Sequence, residues 1–200
     1  MTENEDERPM TKRRIWRILG AQHISRTAPT AEDLAFLARE FILCTLPHRD
    51  PGDVPAWSRR NGSLALGIQP GFNHQTGQSY GYPYGTIPRL LLAWITTEAL
   101  RTKSRRLELG GSLSAFMTAL GLNPGNGGTG AKRSDARRLR DQMDRLFHAI
   151  LSFNHFPQGE ARSGHAWLDM QVAPEGVLWW DDKDPDQAAL WGSWIELGEK

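Results

Sequence analysis

The sequence predicts an α+β fold that is mainly helical and ends in a β-hairpin. Apolar residues recur at helical spacing in four segments, of which the last begins near residue 132. Residues 166–172 alternate instead between apolar and polar, and Pro174-Glu175-Gly176 then supplies turn chemistry before a second apolar run. The order helix, strand, helix, helix, hairpin is that of a winged helix-turn-helix, with the hairpin as its C-terminal wing.

The first half of the chain contains a helix, a strand and two loops. The first clear helix opens at Thr30, a residue type that caps helix N-termini, and its pattern stops at Pro47. Residues 48–61 are polar and contain proline, which predicts a loop, and residues 63–68 alternate as a short strand would. Residues 70–85 are rich in glycine and predict a long irregular loop.

The centre of the chain predicts two helices separated by a strand. The first helix runs from Thr86, as its N-cap, to near Thr102. Residues 106–109 alternate as a strand, and Ser112 then caps a short helix through Leu120.

A long amphipathic helix follows from near Lys132. At about 100° per residue its apolar residues form one continuous stripe and its arginines project elsewhere. The stripe consists of Ala136, Leu139, Met143, Leu146, Phe147 and Ile150. The opposite side carries Arg137, Arg138 and Arg145, flanked by Arg133 and Arg140.

The remaining segments complete the predicted organisation. The hairpin pairs residues 166–172 with residues 177–180, and a third apolar run at residues 190–197 completes its sheet. Residues 1–12 are charged, without an apolar period, and predict a disordered tail. Residues 13–200 are predicted to form a single winged-helix-like domain.

The net charge of +1 conceals a segregation of charge. Ten basic residues stand against four acidic ones between Arg101 and Arg145, whereas acidic residues dominate after Pro157. The alternative to a binding surface is a solvated face whose arginines pair with neighbouring aspartates. Cations in the N-terminal half of a helix oppose its dipole, however, so the pattern favours contact with double-stranded DNA. The predicted DNA-binding residues are Lys132, Arg133, Arg137, Arg138, Arg140 and Arg145, with Arg105 and Arg106.

Other kinds of site find little support. The glycine-rich run at residues 125–130 has the form G-x-G-x-x-G, but a predicted helix precedes it where a nucleotide-binding loop requires a strand. The acidic run at residues 181–184 is more typical of a solvated loop than of a two-metal nuclease site. The sequence therefore predicts no catalytic residue, no metal site and no cofactor.

Cysteine content and hydropathy suggest where the protein acts. The single cysteine, Cys44, excludes an intramolecular disulfide and fits a reducing cytosol. No apolar stretch approaches the roughly 18 residues that a membrane span needs. We therefore expect a cytoplasmic protein without a membrane partner.

Several motifs occur in a characteristic order along the chain. They are Trp57-Ser58-Arg59-Arg60-Asn61-Gly62, Gly81-Tyr82-Pro83-Tyr84-Gly85-Thr86-Ile87-Pro88-Arg89, Leu109-Gly110-Gly111-Ser112-Leu113-Ser114, Phe116-Met117 and Gln142-Met143-Asp144-Arg145-Leu146-Phe147. In this order they resemble the RepA-type plasmid replication initiators, from about Leu34 to the end of the chain. The resemblance implies a non-enzymatic protein that binds repeated sequences at a plasmid origin or operator. It also implies a role in opening the origin and recruiting host replication proteins.

The chain departs from this family near its end. Family members usually continue past Leu190-Trp191-Gly192-Ser193 with a second large segment, whereas this sequence ends at Lys200. The expectation is therefore the N-terminal winged-helix portion, with the second family domain absent. A homodimer is a candidate assembly. The alternative function is an interaction module that dimerises with full-length initiator and inhibits replication.

Overall fold

Three antiparallel sheets, of four, three and two strands, and three helices form the described part of the protein. The computed structural model describes Phe41 and residues 44–124, 135–156, 166–179 and 192–198. The helices are α1 (Ile87–Thr102), α2 (Leu113–Ala119) and α3 (Asp135–His148). The strands are β1 (Trp57–Asn61), β2 (Leu64–Gln69), β3 (Phe72–Asn73), β4 (Gln78–Ser79), β5 (Arg106–Gly110), β6 (Ile150–His155), β7 (Ala166–Met170), β8 (Glu175–Val177) and β9 (Ser193–Glu196).

Helix and strand occupy roughly equal shares of the described residues, so the fold is α+β but not mainly helical. Part of the difference comes from residues 48–61, predicted as a loop, which contain β1. Another part comes from residues 70–85, where β3 and β4 pair as a small hairpin. Polar strands of this kind carry no apolar alternation, which is the signal that sequence patterns detect.

A four-stranded sheet in the order β1-β2-β6-β7 covers one side of the core. Its inner face is apolar: Leu66 pairs with Phe153 and Ile68 with Leu151, and all four side chains are buried. Strands β6 and β7 extend the sheet through the antiparallel register Leu151 to Met170. The predicted strand at residues 63–68 is confirmed, but its partner β6 was not predicted.

A three-stranded sheet in the order β5-β9-β8 forms the second layer. Here the predicted hairpin is wrong, because β7 and β8 do not pair with each other. Strand β7 joins β6 in the other sheet, while β8 pairs with β9 and places Pro174 before a strand rather than at a hairpin turn. The strand predicted at residues 106–109 and the apolar run near residue 195 are confirmed as β5 and β9, which pair directly.

The helices begin for different local reasons. Ser112 caps α2 as predicted, with its Oγ accepting a hydrogen bond from the Ala115 amide at 3.2 Å. Thr86 does not cap α1 in this way: its backbone is helical and its side chain makes no cap bond. Pro88 instead occupies the first turn, where its missing N–H and fixed φ are favourable.

The long helix α3 packs against α1 and α2 through the predicted apolar stripe. Ala136, Leu139, Met143 and Leu146 are all buried. The prediction that Ile150 ends the stripe is wrong, because Ile150 belongs to β6 and is 39% exposed. The first described residue of the helix is Asp135.

Several predictions fall on residues that the structure does not describe. These are the tail at residues 1–12, nearly all of the helix opened by Thr30, the glycine-rich run at residues 125–130 and the acidic run at residues 181–184.

Candidate nucleic-acid interface

The N-terminal half of α3 is the most cationic helical surface among the described residues. Arg137, Arg138 and Arg140 stand on this half, while Ala136 and Leu139 between them are buried against the core. Because successive residues rotate by about 100°, the three arginines spread around the outer side of the helix. Arg138 is exposed, and Arg137 and Arg140 are half-buried.

Aspartates on the same helix accompany these arginines. Arg138 lies 2.9 Å from Asp135, and Arg140 lies 3.9 Å from Asp144. An exposed pair at helical spacing, such as that of Arg138 with Asp135, contributes only about 0.3–0.5 kcal/mol and is screened by salt. A polyanion with a high charge density can therefore compete for these guanidinium groups.

Arg145, in the C-terminal half of α3, has a different environment. Its side chain is 17% exposed and lies 3.0 Å from Asp141 and 3.2 Å from Asp50. Its guanidinium also donates to the Tyr82 carbonyl at 3.3 Å and lies 5.2 Å from the centre of the Tyr84 ring. The prediction that Arg145 projects outward with Arg137 and Arg138 is therefore wrong in geometry: Arg145 joins two parts of the fold.

The chain around residues 71–84 covers this half of the helix. The amide of Tyr84 donates to the buried Gln142 side chain at 2.8 Å, and the Tyr80 ring stacks on His148 with a centroid separation of 4.4 Å. Gly71 approaches so closely that a Cβ there would lie 2.4 Å from the Cβ of His148. The C-terminal half of α3 is thereby covered by residues from an earlier part of the chain.

Burial also changes the chemistry of Asp144 on this helix. Removal from water raises the pKa of its carboxyl, and the positive charges of Arg140 and His148 oppose that shift. Its separation of 3.9 Å from Arg140 lies at the upper limit for an ion pair.

Arg105 and Arg106 lie on a separate surface, at the start of β5. Arg105 donates through two nitrogens to the Leu197 carbonyl, at 3.1 and 2.7 Å, which ties β5 to the end of β9. Arg106 lies 3.9 Å from the centre of the Trp194 ring and 3.4 Å from Glu108. Lys132 and Arg133, the other two predicted contacts, lie outside the described residues.

No group of three or more metal-ligating side chains occurs in the part of the chain that the structure describes. No described helix is long and apolar enough to cross a membrane. The candidate site is the N-terminal half of α3, because its arginines form the most cationic helical surface among the described residues.

Comparison with known families identifies the family of this chain. The family described as "Plasmid encoded RepA protein" matches residues 82–200, which is more than half of the chain. The chain belongs to this family. The RepA match begins at Tyr82, within the segment that contacts Arg145, and includes all three helices and strands β5 to β9. The predicted resemblance to the RepA family is thus confirmed.

Two solved structures of RctB are similar in structure to this RepA-family chain. One contains domains 2 and 3 as selenomethionine derivatives, with 8% identity and a TM-score of 0.46, and covers 80% of this chain. The other, RctB residues 155–483, has 7% identity and a TM-score of 0.48, again over 80% of this chain. The chain spans 59% and 55% of these two structures. At such scores residues cannot be carried from one protein to the other. No curated protein matches the chain.

Sequence patterns did not reveal the residues that close the C-terminal half of α3. Asp50, Tyr80, Tyr82 and Tyr84 lie far from Arg145 along the chain, and no local periodicity connects them. Tyr82 and Tyr84 fall within the glycine- and proline-containing motif at residues 81–89, which predicts a turn before a helix, whereas Asp50 and Tyr80 lie outside it.

Proposed function

We propose that this chain is a DNA-binding protein of plasmid replication initiation that reads duplex DNA with the N-terminal half of α3. The observation that carries the proposal is the division of the helix. The N-terminal half carries three arginines, of which Arg138 is exposed and Arg137 and Arg140 are half-buried, while the segment around Tyr80–Tyr84 covers the other half. A recognition helix contacts base edges mainly through its N-terminal residues. In α3 the N-terminal half is the one that the segment around Tyr80–Tyr84 does not cover.

The order of the surrounding elements supports a winged-helix interpretation. Helix α1, strand β5 and helices α2 and α3 precede the paired strands β8 and β9, and β9 lies between β5 and β8. In this interpretation α2 is the first helix of the helix-turn-helix and α3 is the recognition helix. The wing is then formed by β8 and β9, with β6 and β7 inserted before it, and residues 13–200 act as one domain.

The chemistry of the arginines suits duplex DNA. A guanidinium donates two parallel hydrogen bonds to a phosphate or to the O6 and N7 atoms of guanine. Lys132 and Arg133 would extend the same cationic surface toward the start of the helix. Arg145 and Arg105 are assigned to the support of the fold in this proposal, because each donates to a main-chain carbonyl distant in sequence. Arg106 is assigned there as well, because its guanidinium lies over the Trp194 ring of β9.

The proposed role is binding, without a bond-breaking step. The partner is double-stranded DNA carrying origin or operator repeats, and the place of action is the cytoplasm, where a plasmid resides. Host replication proteins would act on the complex after the DNA has been bound.

Fluorescence anisotropy with a duplex from the cognate plasmid origin tests the proposal. We expect tighter binding to the origin duplex than to a scrambled duplex of equal length and composition. Because phosphate contacts release counterions, the logarithm of the affinity should fall linearly with that of the salt concentration, with a slope of about −0.9 per contact. No preference for the origin at either of two salt concentrations would contradict the proposal.

A further inference from the structure

Two arginines outside α3 are held by the same short segment of the chain. Arg59 lies on the edge strand β1, and its guanidinium donates to the Thr45 hydroxyl. Arg89 lies in the first turn of α1 and donates to the Leu46 carbonyl at 2.7 Å. Because the Cα atoms of consecutive residues are about 3.8 Å apart, Thr45 and Leu46 keep the two guanidinium groups close together.

Neither guanidinium has a carboxylate partner. Both side chains are half-buried, and no aspartate or glutamate of the described residues forms an ion pair with either one. Asp50, which follows the same segment, pairs with Arg145 instead. Burial lowers the pKa of the Arg89 guanidinium, and the positive charge of Arg59 lowers it further. Two partly desolvated like charges are unfavourable together unless an anion compensates them.

Arg59 is held in position but is not saturated with hydrogen bonds. Its guanidinium lies 5.4 Å from the centre of the Trp57 ring, and Thr45 is the one described residue that accepts a hydrogen bond from it. A guanidinium carries five N–H groups, so Arg59 retains donors for a ligand.

Arg89 is fixed by groups on two sides. Its terminal nitrogens donate to the carbonyls of Gly85 and Leu46, and Nη2 lies 3.2 Å from Nδ1 of His48. Because an arginine can only donate, Nδ1 of His48 accepts this bond and the proton of the neutral ring lies on Nε2. The exposed His48 ring therefore adds a further donor beside the two arginines.

Helix stability does not explain the position of Arg89. The first turn of α1 contains no acidic residue, and Arg89 places a cation where the helix dipole disfavours one. An anion beside Arg89 would interact favourably with the guanidinium and with the start of the helix.

We propose that Arg59, Arg89 and His48 form a binding site for a phosphate group. The oxygens of a phosphate are arranged as a tetrahedron, so two guanidinium groups and a ring N–H can approach one phosphate from different sides. A carboxylate is planar, and a single guanidinium fork already matches both of its oxygens. The backbone of DNA and a free phosphorylated molecule both supply a phosphate, and the experiments below distinguish these sources.

Calorimetric titration of the full chain with inorganic phosphate, at constant ionic strength, tests the site. We expect a Kd of the order of 1 mM for the parent, and Arg59→Gln should raise it at least about tenfold. Arg60→Gln is the matched control, because Arg60 is the next residue of β1 and lies on the opposite face of that strand. It removes the same charge and should change the Kd by less than about twofold. Acetate should bind much more weakly than phosphate.

The source of the phosphate follows from the salt dependence of duplex binding. If the group belongs to DNA, Arg59→Gln removes one backbone contact, and the slope of log affinity against log salt concentration becomes shallower by about 0.9. If that slope is unchanged while inorganic phosphate no longer binds, the site takes a free phosphorylated molecule. The titration with inorganic phosphate contains no DNA, so its result does not depend on the proposed role of α3.

Three results would overturn the proposal. They are a parent that binds no phosphate up to about 50 mM, equal losses in Arg59→Gln and Arg60→Gln, and acetate binding as tight as that of phosphate. If Arg59→Gln lowers the melting temperature, Arg59→Lys replaces it. This variant keeps the charge but loses the planar fork, and it must still raise the phosphate Kd about threefold or more.

Discussion

The two halves of α3 contain the same kinds of charged residue in different surroundings. In the N-terminal half, Arg138 and Arg140 lie near Asp135 and Asp144, which are aspartates of the same helix. In the C-terminal half, Arg145 contacts Asp50 and Tyr82, more than 60 residues earlier in the chain. Residue type alone therefore does not distinguish an arginine that binds a ligand from one that holds the fold together.

The largest effect should follow from removing the accessible arginines. Arg137→Ala, Arg138→Ala and Arg140→Ala together should weaken binding to the origin duplex by about 3 kcal/mol or more, since each good contact is worth about 1–3 kcal/mol. The free energy of unfolding should change little, because exposed pairs contribute little. Anisotropy titration measures the first quantity and urea unfolding the second.

A control variant with the same loss of charge distinguishes local contacts from net charge. Arg49, Arg101 and Lys103 are exposed and lie outside α3, so their joint replacement by alanine should cost much less affinity. Equal losses in the two triple variants would show that α3 has no special role.

Arg145→Ala should have the opposite profile. It leaves Asp50, Asp141 and the Tyr82 carbonyl without their partner, so the free energy of unfolding should fall by about 2 kcal/mol. The affinity of the folded variant for the origin duplex should stay within about twofold of the parent's, that is, within about 0.4 kcal/mol. Arg145→Lys, which keeps the charge but not the planar fork, should be intermediate in stability. Normal stability together with lost binding would return Arg145 to the interface.

Gly71→Ala should loosen the closed half of the helix without touching a charge. The added Cβ would lie 2.5 Å from the His148 carbonyl oxygen, so the segment has to move, at a cost of about 1–3 kcal/mol. Gly111→Ala is the matched control, since nothing lies within 4 Å of a Cβ there. Thermal unfolding should separate the two variants, and equal melting temperatures would mean that this contact does not hold the segment in place.

The smallest expected effect concerns Asp144 and pH. Because burial raises the pKa of its carboxyl in the folded state, ionisation opposes folding. The stability that this group contributes is present below its unfolded pKa of about 4 and is lost as the pH rises through the folded pKa. Asp144→Asn should therefore remove the decline in stability over that window. Melting curves from acid to neutral pH that coincide for parent and variant would contradict this expectation.

Local patterns predicted the elements whose cause is local. Helix α1, the Ser112 cap of α2, the stripe on α3 and the alternation along β2, β5 and β7 were all apparent from residue spacing. The exposed positions of Trp167 and Asp169 also follow from that alternation. Similarly, the family followed from motifs that are contiguous in the sequence.

The features that the sequence did not reveal depend on contacts between residues far apart in the chain. Ile150 continues the helical spacing of the α3 stripe, yet pairing of β6 with β2 draws it into a strand, because the ladder satisfies backbone groups of both strands. The exchange of partners that puts β7 and β8 into different sheets has the same origin. In the candidate site, the arginines of the accessible half were predicted, whereas the closure of the other half depends on contacts across the fold.

Pairing between distant strands also has a consequence during synthesis. Leu64 of β2 pairs with His155 of β6, and Arg106 of β5 pairs with Glu196 of β9, so neither sheet can be completed early. At about 5–20 residues per second, β2 waits for roughly 5–20 s before β6 has been translated. During that interval the nascent chain exposes the apolar face of β2. We expect chaperones to bind the chain, and aggregation to begin, through this exposed face.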